Sequence, residues 1–282
     1  MSDAPIPIDR RRRAARAKQA ATRRLIALVV AVVVVVAAAV VLLWPSGPTM
    51  ASVTIRPGEA IFEVAAALRA LPQTKVGYGA AFERDALQLG QVRSPFQPAS
   101  VVSLEGLLGT GTYHFVADEP PSALLSAMVR RFTAQAAALG LTPTTTVEGH
   151  DAYAVVTVAS IVEKEGWLPQ NLGQVSRVIY NRLAVGQPLQ MDSTVLYPLR
   201  RDGGRVTPSM LQVDTPFNTY LHAGLTPTPV CQPGPAALVA AMHPTPGTWR
   251  YFVVVSRDGT EAFATTYAEH LANIARAKAN GL

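Results

Sequence analysis

The run from Leu25 to Trp44, LIALVVAVVVVVAAAVVLLW, constrains this chain more than any other stretch, because twenty consecutive residues carry neither a charge nor a hydrophilic side chain. As a helix rising about 1.5 Å per residue, such a run matches the ~30 Å hydrocarbon layer of a bilayer. The expected element is a single membrane-spanning helix over residues 25–44. A cleaved signal peptide would have an apolar region of about 7–15 residues ending in small side chains. This run ends in Trp44-Pro45 instead.

Charge orients the span. Residues 1–24 hold Arg10, Arg11, Arg12, Arg13, Arg16, Lys18, Arg23 and Arg24 against Asp3 and Asp9, a net +6 that equals the formal charge of the whole chain. The remaining seventeen basic and seventeen acidic residues balance. Positive flanks stay in the cytoplasm, so the expected topology puts the tail inside and everything after Trp44 outside, at the cytoplasmic (inner) membrane. The pI of 9.7 thus reports topology and contact with anionic lipid rather than nucleic-acid binding. Cys231 is the only cysteine, so no intramolecular disulfide is possible and the fold must rest on its core.

Residues 45–52 form a short linker that opens with Pro45-Ser46-Gly47-Pro48 and holds the rest of the chain close to the bilayer. Beyond it, Val53-Thr54-Ile55 alternates like a strand, and Ile61, Val64, Ala65, Leu68 and Leu71 recur at helical spacing. Further helices are expected over 80–89, 121–139, 153–166, 172–183, 235–242 and 267–279. The segments 250–256 and 260–266 flank Asp258-Gly259 as a hairpin. Strands and helices are segregated without a βαβ rhythm, so the fold class is α+β.

The helix expected over 153–166 carries an acid of particular interest. At 100° per residue, Val158, Ile161, Val162 and Glu165 share one stripe, and Glu163 projects about 160° away from Glu165. A carboxyl among Val and Ile loses solvation, which raises its pKa and favours a neutral acid able to donate a proton. Glycosidic-bond cleavage needs such an acid. The helix also ends here, near Gly166, and a glutamate at a helix end could equally turn to solvent or pair with a cation. Asp192-Ser193-Thr194 reads as a helix N-cap, and Asn218-Thr219-Tyr220 as a turn with a half-buried tyrosine. The five histidines show no metal-binding spacing, and no nucleophile elbow, P-loop or dinucleotide-binding pattern is present.

These segments resemble the YceG-like family of endolytic murein transglycosylases. The resemblance is carried by Ala159-Ser160-Ile161-Val162-Glu163-Lys164-Glu165, Val178-Ile179-Tyr180-Asn181-Arg182-Leu183, Leu189-Gln190-Met191-Asp192-Ser193-Thr194-Val195-Leu196-Tyr197 and Asp214-Thr215-Pro216-Phe217-Asn218-Thr219-Tyr220. Gly224-Leu225, Pro233-Gly234 and Ala241-Met242-His243-Pro244 continue it, with Leu104-Glu105-Gly106-Leu107-Leu108 and Thr112-Tyr113 upstream. It implies a reduced LysM-like part over 53–102 and a catalytic part over 103–282. It also implies Glu165 as the catalytic acid and Gln190, Asp192, Asn218, Tyr220, Glu105 and Tyr113 as substrate-binding residues. The implied reaction is non-hydrolytic cleavage of the MurNAc–GlcNAc linkage of nascent glycan strands, forming 1,6-anhydro-MurNAc ends and terminating polymerisation. Peptidoglycan strands, the membrane and peptidoglycan synthases are the implied partners, with no metal or organic cofactor. The chain departs from the family pattern at Gly109-Thr110-Gly111 and at Glu261, where a histidine is usual. Those departures leave room for a membrane-anchored glycan-binding scaffold. A water-using muramidase would need a second carboxylate, and Asp192 is the candidate.

Overall fold

The structure, a computed structural model, describes residues 8–43 and 47–282; the first residues of the basic tail, Trp44 at the end of the span and Pro45-Ser46 of the linker lie outside the described residues. The chain forms two compact units, one ending at Pro48 and the other running from Thr49 to Leu282.

The first unit is one helix, α1, Ile8–Leu43. Among the described residues it is the one helix long and apolar enough to cross a membrane, with a mean hydropathy of 2.5 over its apolar window and none of that window buried in protein. The basic segment continues the same helix. Arg, Lys and Ala, the residues that fill it, are all strong helix formers.

The second unit is α+β, as expected. Strand β1 (Met50–Ile55) pairs antiparallel with β2 (Gly111–Val116), in a register from Met50 opposite Val116 to Ile55 opposite Gly111. Period-two alternation turns Ala51, Val53 and Ile55 inward with Tyr113 and Phe115. Helices α2 (Ile61–Arg69), α3 (Tyr78–Arg84) and α4 (Pro121–Ala138) close over this ribbon. Together they form one core around Ile61, Leu68, Phe82, Leu125 and Met128. A π-helical turn, Asp85–Leu89, extends α3. The ribbon and its core span the junction expected at 102/103. Strand β2 itself went unforeseen, since its partner lies some sixty residues upstream.

Glycines 109 and 111 have a steric reason. A side chain at Gly109 would meet the α4 backbone, with Phe132 N at 2.6 Å, and one at Gly111, where φ is +126°, would run into the Arg131 guanidinium. Only glycine lets β2 start this close to α4.

The second core surrounds α5 (Ala152–Glu165), against which α6 (Leu172–Ala184) and α9 (Pro235–Met242) pack. Val155, Val156, Val158, Ala159, Ile161 and Val162 have no exposure at all. The helix is therefore enclosed on every side rather than along a single stripe, which its polar residues permit by bonding within it. Thr157 Oγ1 donates to Tyr153 O at 3.0 Å, and Ser160 Oγ donates to Thr157 O at 2.8 Å. Two short helices, α7 (Asp192–Leu196) and α8 (Pro208–Leu211), follow α6. Strands β3 (Tyr251–Val254) and β4 (Glu261–Ala264) form the expected hairpin, and α10 (Tyr267–Ala279) packs on it.

Candidate active site

Glu165 is the last residue of α5, where the helix leaves the core, and its side chain is half-buried. Its Oε1 accepts two hydrogen bonds from Ser193, one from the backbone N–H at 3.0 Å and one from the hydroxyl at 2.7 Å. Ser193 is the second residue of α7, where backbone N–H groups have no partner within the helix. Burial raises the pKa of Glu165, the two Ser193 bonds oppose that rise, and the charges of Asp192 and Glu261 add to it. The net direction is upward, so the carboxyl holds its proton to higher pH than an ordinary glutamate.

Two recesses meet at this carboxyl. One, of about 220 Å³, is lined by Phe62, Lys164, Trp167, Ser193, Tyr197 and Arg201 among others. The other, of about 520 Å³, is lined by Arg182, Gln190, Tyr220, Tyr251, Tyr267 and His270. Glu165 and Asp192 line both. Two recesses that share one acid give room for more than one unit of a polymer.

Three expected residues lie with Glu165. Gln190 is exposed in the second recess, held by a left-handed backbone, φ +50°, that lets its N–H reach Thr219 O at 3.0 Å. Asp192 is the first residue of α7 rather than its cap, a place taken by Met191, and its Oδ1 accepts the Tyr220 hydroxyl at 2.7 Å. The side chain bonds across the groove instead of back to the helix, which corrects the N-cap reading. Tyr220 supplies that donor, and burial raises its own pKa.

The other three do not reach the groove. Asn218 is 1% exposed; its Nδ2 donates to Leu211 O and Val213 O, and its Oδ1 accepts from Tyr220 N at 3.0 Å. The turn reading describes it, and it positions Tyr220. Glu105 is fully buried and accepts from Ile61 N at 3.1 Å, Tyr197 Oη at 3.0 Å and Gln232 Nε2 at 2.5 Å. Burial pushes its pKa up to about 8. Tyr113 is 7% exposed and donates to Gly109 O at 2.5 Å. Neither side chain lines a recess: Glu105 ties the start of α2 to Tyr197 and Gln232, and Tyr113 bonds within the segment that leads into β2.

Glu163 points elsewhere, as the helical projection required. Its Oε2 accepts from Gly234 N at 2.9 Å. Burial disfavours the charge of Lys164, but an ion pair with Asp202 overrides this and raises its pKa. Glu261 binds Asn171 Nδ2 at 2.9 Å and ties the hairpin to the start of α6. Sequence reasoning missed Ser193 as the partner of Glu165, and also Trp167 and the hairpin aromatics. Trp167 carried a usable signal, an aromatic two residues beyond the acid. Ser193 carried none, because the contact spans 28 residues. Among the described residues no cluster of His, Cys, Asp or Glu could hold a metal.

These features define an α+β protein with an apolar N-terminal helix and a groove centred on one proton-retaining carboxyl. The chain belongs to the YceG-like family, whose model matches residues 35–276. It is similar to the endolytic murein transglycosylase of Bacillus subtilis, 32% identical over 169 residues that cover 59% of this chain and 46% of that protein. It is also similar to the endolytic murein transglycosylases of two Streptococcus pneumoniae strains, 31% identical over 126 residues, 43% of this chain and 23% of theirs. The chain thus spans half or less of the length of these relatives. The crystal structure of a YceG-like protein from Listeria monocytogenes superposes with a TM-score of 0.68 at 28% identity, covering 79% of this chain and 75% of that one.

Proposed function

We propose that this protein is a membrane-anchored lytic transglycosylase that cuts peptidoglycan glycan strands internally. The observation that carries the reading is the placement of Glu165: a carboxyl with raised pKa, fixed by Ser193, at the meeting of two recesses. Two recesses sharing the acid would let sugars be held beyond the one that is cut, as internal cleavage requires. The relatives' activity and the groove's shape point the same way.

The chemistry needs one carboxyl. Both Ser193 bonds fall on Oε1, which leaves Oε2 to carry the transferable proton. Glu165 gives that proton to the glycosidic oxygen as the bond to MurNAc C1 breaks. The carboxylate then takes the proton of the MurNAc 6-hydroxyl as O6 bonds to C1. The carboxyl is restored, no water is consumed, and the new end is 1,6-anhydro-MurNAc. An intramolecular nucleophile replaces the second carboxylate of a hydrolase. Asp192, Tyr220 and Gln190 would contact the sugars, with the Asp192–Tyr220 bond holding both side chains in place.

The charge asymmetry about α1 supports a cytoplasmic N-terminus and an extracytoplasmic groove. The short linker would keep Glu165 near the membrane, where strands are still attached to their lipid-linked end, so cleavage there would terminate polymerisation beside the synthases. The test is product chemistry. The full chain in detergent micelles, incubated with purified sacculi, should release fragments ending in anhydro-MurNAc, and Glu165→Gln should release them at least about 100-fold more slowly. Reducing MurNAc ends would instead mean hydrolysis, with Asp192 activating water. Glycan retention without cleavage would mean a scaffold.

A further inference from the structure

The smaller recess contains a feature that the acid chemistry leaves unused. Trp167 is 71% exposed, more than Tyr267 at 60%, yet it lines the same recess as Glu165. Its position is built. Gly166 N–H donates to Val162 O at 2.9 Å, and a side chain at Gly259 in the hairpin turn would lie 3.5 Å from Trp167 Cβ. An exposed indole beside an acid offers a flat apolar face to whatever fills the recess. Arg201 lines the same recess and is exposed. Its guanidinium reaches the soft Met210 sulfur at 3.9 Å and has no carboxylate partner among the described residues, whereas neighbouring Arg200 and Lys164 are both paired. The cavity of about 220 Å³ is smaller than the roughly 300–1,000 Å³ of a drug-sized site, so it suits one sugar residue rather than an oligomer.

We infer that this recess is the subsite for an N-acetylmuramoyl residue, with the Trp167 indole stacked on the pyranose ring and Arg201 paired with the acidic arm at O3. The inference rests on the glycan-cleaving reading and adds to it which sugar lies on this side of Glu165. Axial C–H groups of a pyranose carry slight positive charge and match the electron-rich face of an indole. The arm is what separates muramoyl from N-acetylglucosamine. Its carboxylate comes either from the lactyl group of a peptide-free strand or from the stem peptide, and a planar guanidinium binds both.

Binding is measured by calorimetry on the full-length Glu165→Gln chain in micelles, so that nothing is cleaved. The three ligands are a neutral N-acetylglucosamine hexamer, peptide-free strands and peptide-bearing strands. Trp167→Ala should weaken all three by roughly 3- to 10-fold, with Trp167→Tyr largely restoring affinity. Arg201→Gln should weaken only the muramoyl strands, by roughly 2- to 5-fold, an effect that shrinks in high salt. Loss confined to one type of strand identifies the carboxylate source. An unchanged affinity in Trp167→Ala, or equal loss for the neutral hexamer in Arg201→Gln, overturns the inference. Strand binding by a chain that forms no anhydro ends when Glu165 is intact would overturn the cleavage reading and leave this subsite standing.

Discussion

Ser193 gives both its N–H and its hydroxyl to a single oxygen of Glu165, at 3.0 and 2.7 Å. The pair fixes the carboxyl's orientation and moderates its pKa, because both bonds favour the charged form against burial that favours the neutral one.

Ser193→Ala removes the hydroxyl bond and keeps the backbone one. The charged form of Glu165 loses a donor, so its pKa rises further and the basic limb of the pH–rate profile moves to higher pH. The maximal rate should fall by about 10-fold, since a hydrogen bond to a charged group is worth about 1.5–3 kcal/mol and the acid is less well aimed. Initial rates of anhydro-MurNAc release across pH 4 to 9 check both. An unmoved basic limb would remove Ser193 from any role in tuning the acid.

Glu165→Gln should lower the rate by about 10²–10⁴-fold, the usual contribution of a general acid, with little change in melting temperature. Mass analysis of digested sacculi, paired with thermal melts, reads the two quantities separately.

Tyr220 and Asn218 should behave differently although they are two residues apart. Tyr220→Phe deletes the donor to Asp192 and should raise KM while the fold holds. Asn218→Ala leaves Leu211 O and Val213 O without their buried donor, which costs about 1–3 kcal/mol. It should therefore lower the melting temperature as well as the rate.

Glu105 ties stability to pH. Its folded pKa of about 8 lies above the ordinary carboxylate value, so between those two values the folded state binds more protons than the unfolded one. Stability is then highest at the acid end of that window and is lost as pH rises through it. Glu63, Glu163, Glu165 and Glu261 are shifted in the same direction by burial. The melting temperature should fall by several degrees from pH 5.5 to 8.5. Glu105→Gln should flatten that slope, and an equal slope in the variant would place the titration elsewhere.

Local features of the sequence were enough for much of this molecule. The apolar run, the hairpin at Asp258-Gly259 and the helices at 121–138, 172–184, 235–242 and 267–279 arise from periodicity and turn chemistry, because those signals act between near neighbours. The same holds for the separation of Glu165 from Glu163, which is a matter of 100° per residue. What the tertiary structure alone decided is which distant groups meet. Strand β2 exists because β1, far upstream, offers it a partner. Glu105, an acid in an apolar segment like Glu165, lies under α2 with three donors around it, while Glu165 emerges at a helix end into a groove. Composition and spacing do not separate those two glutamates. Burial and hydrogen-bond partners do, and both are properties of contacts between residues far apart in the chain.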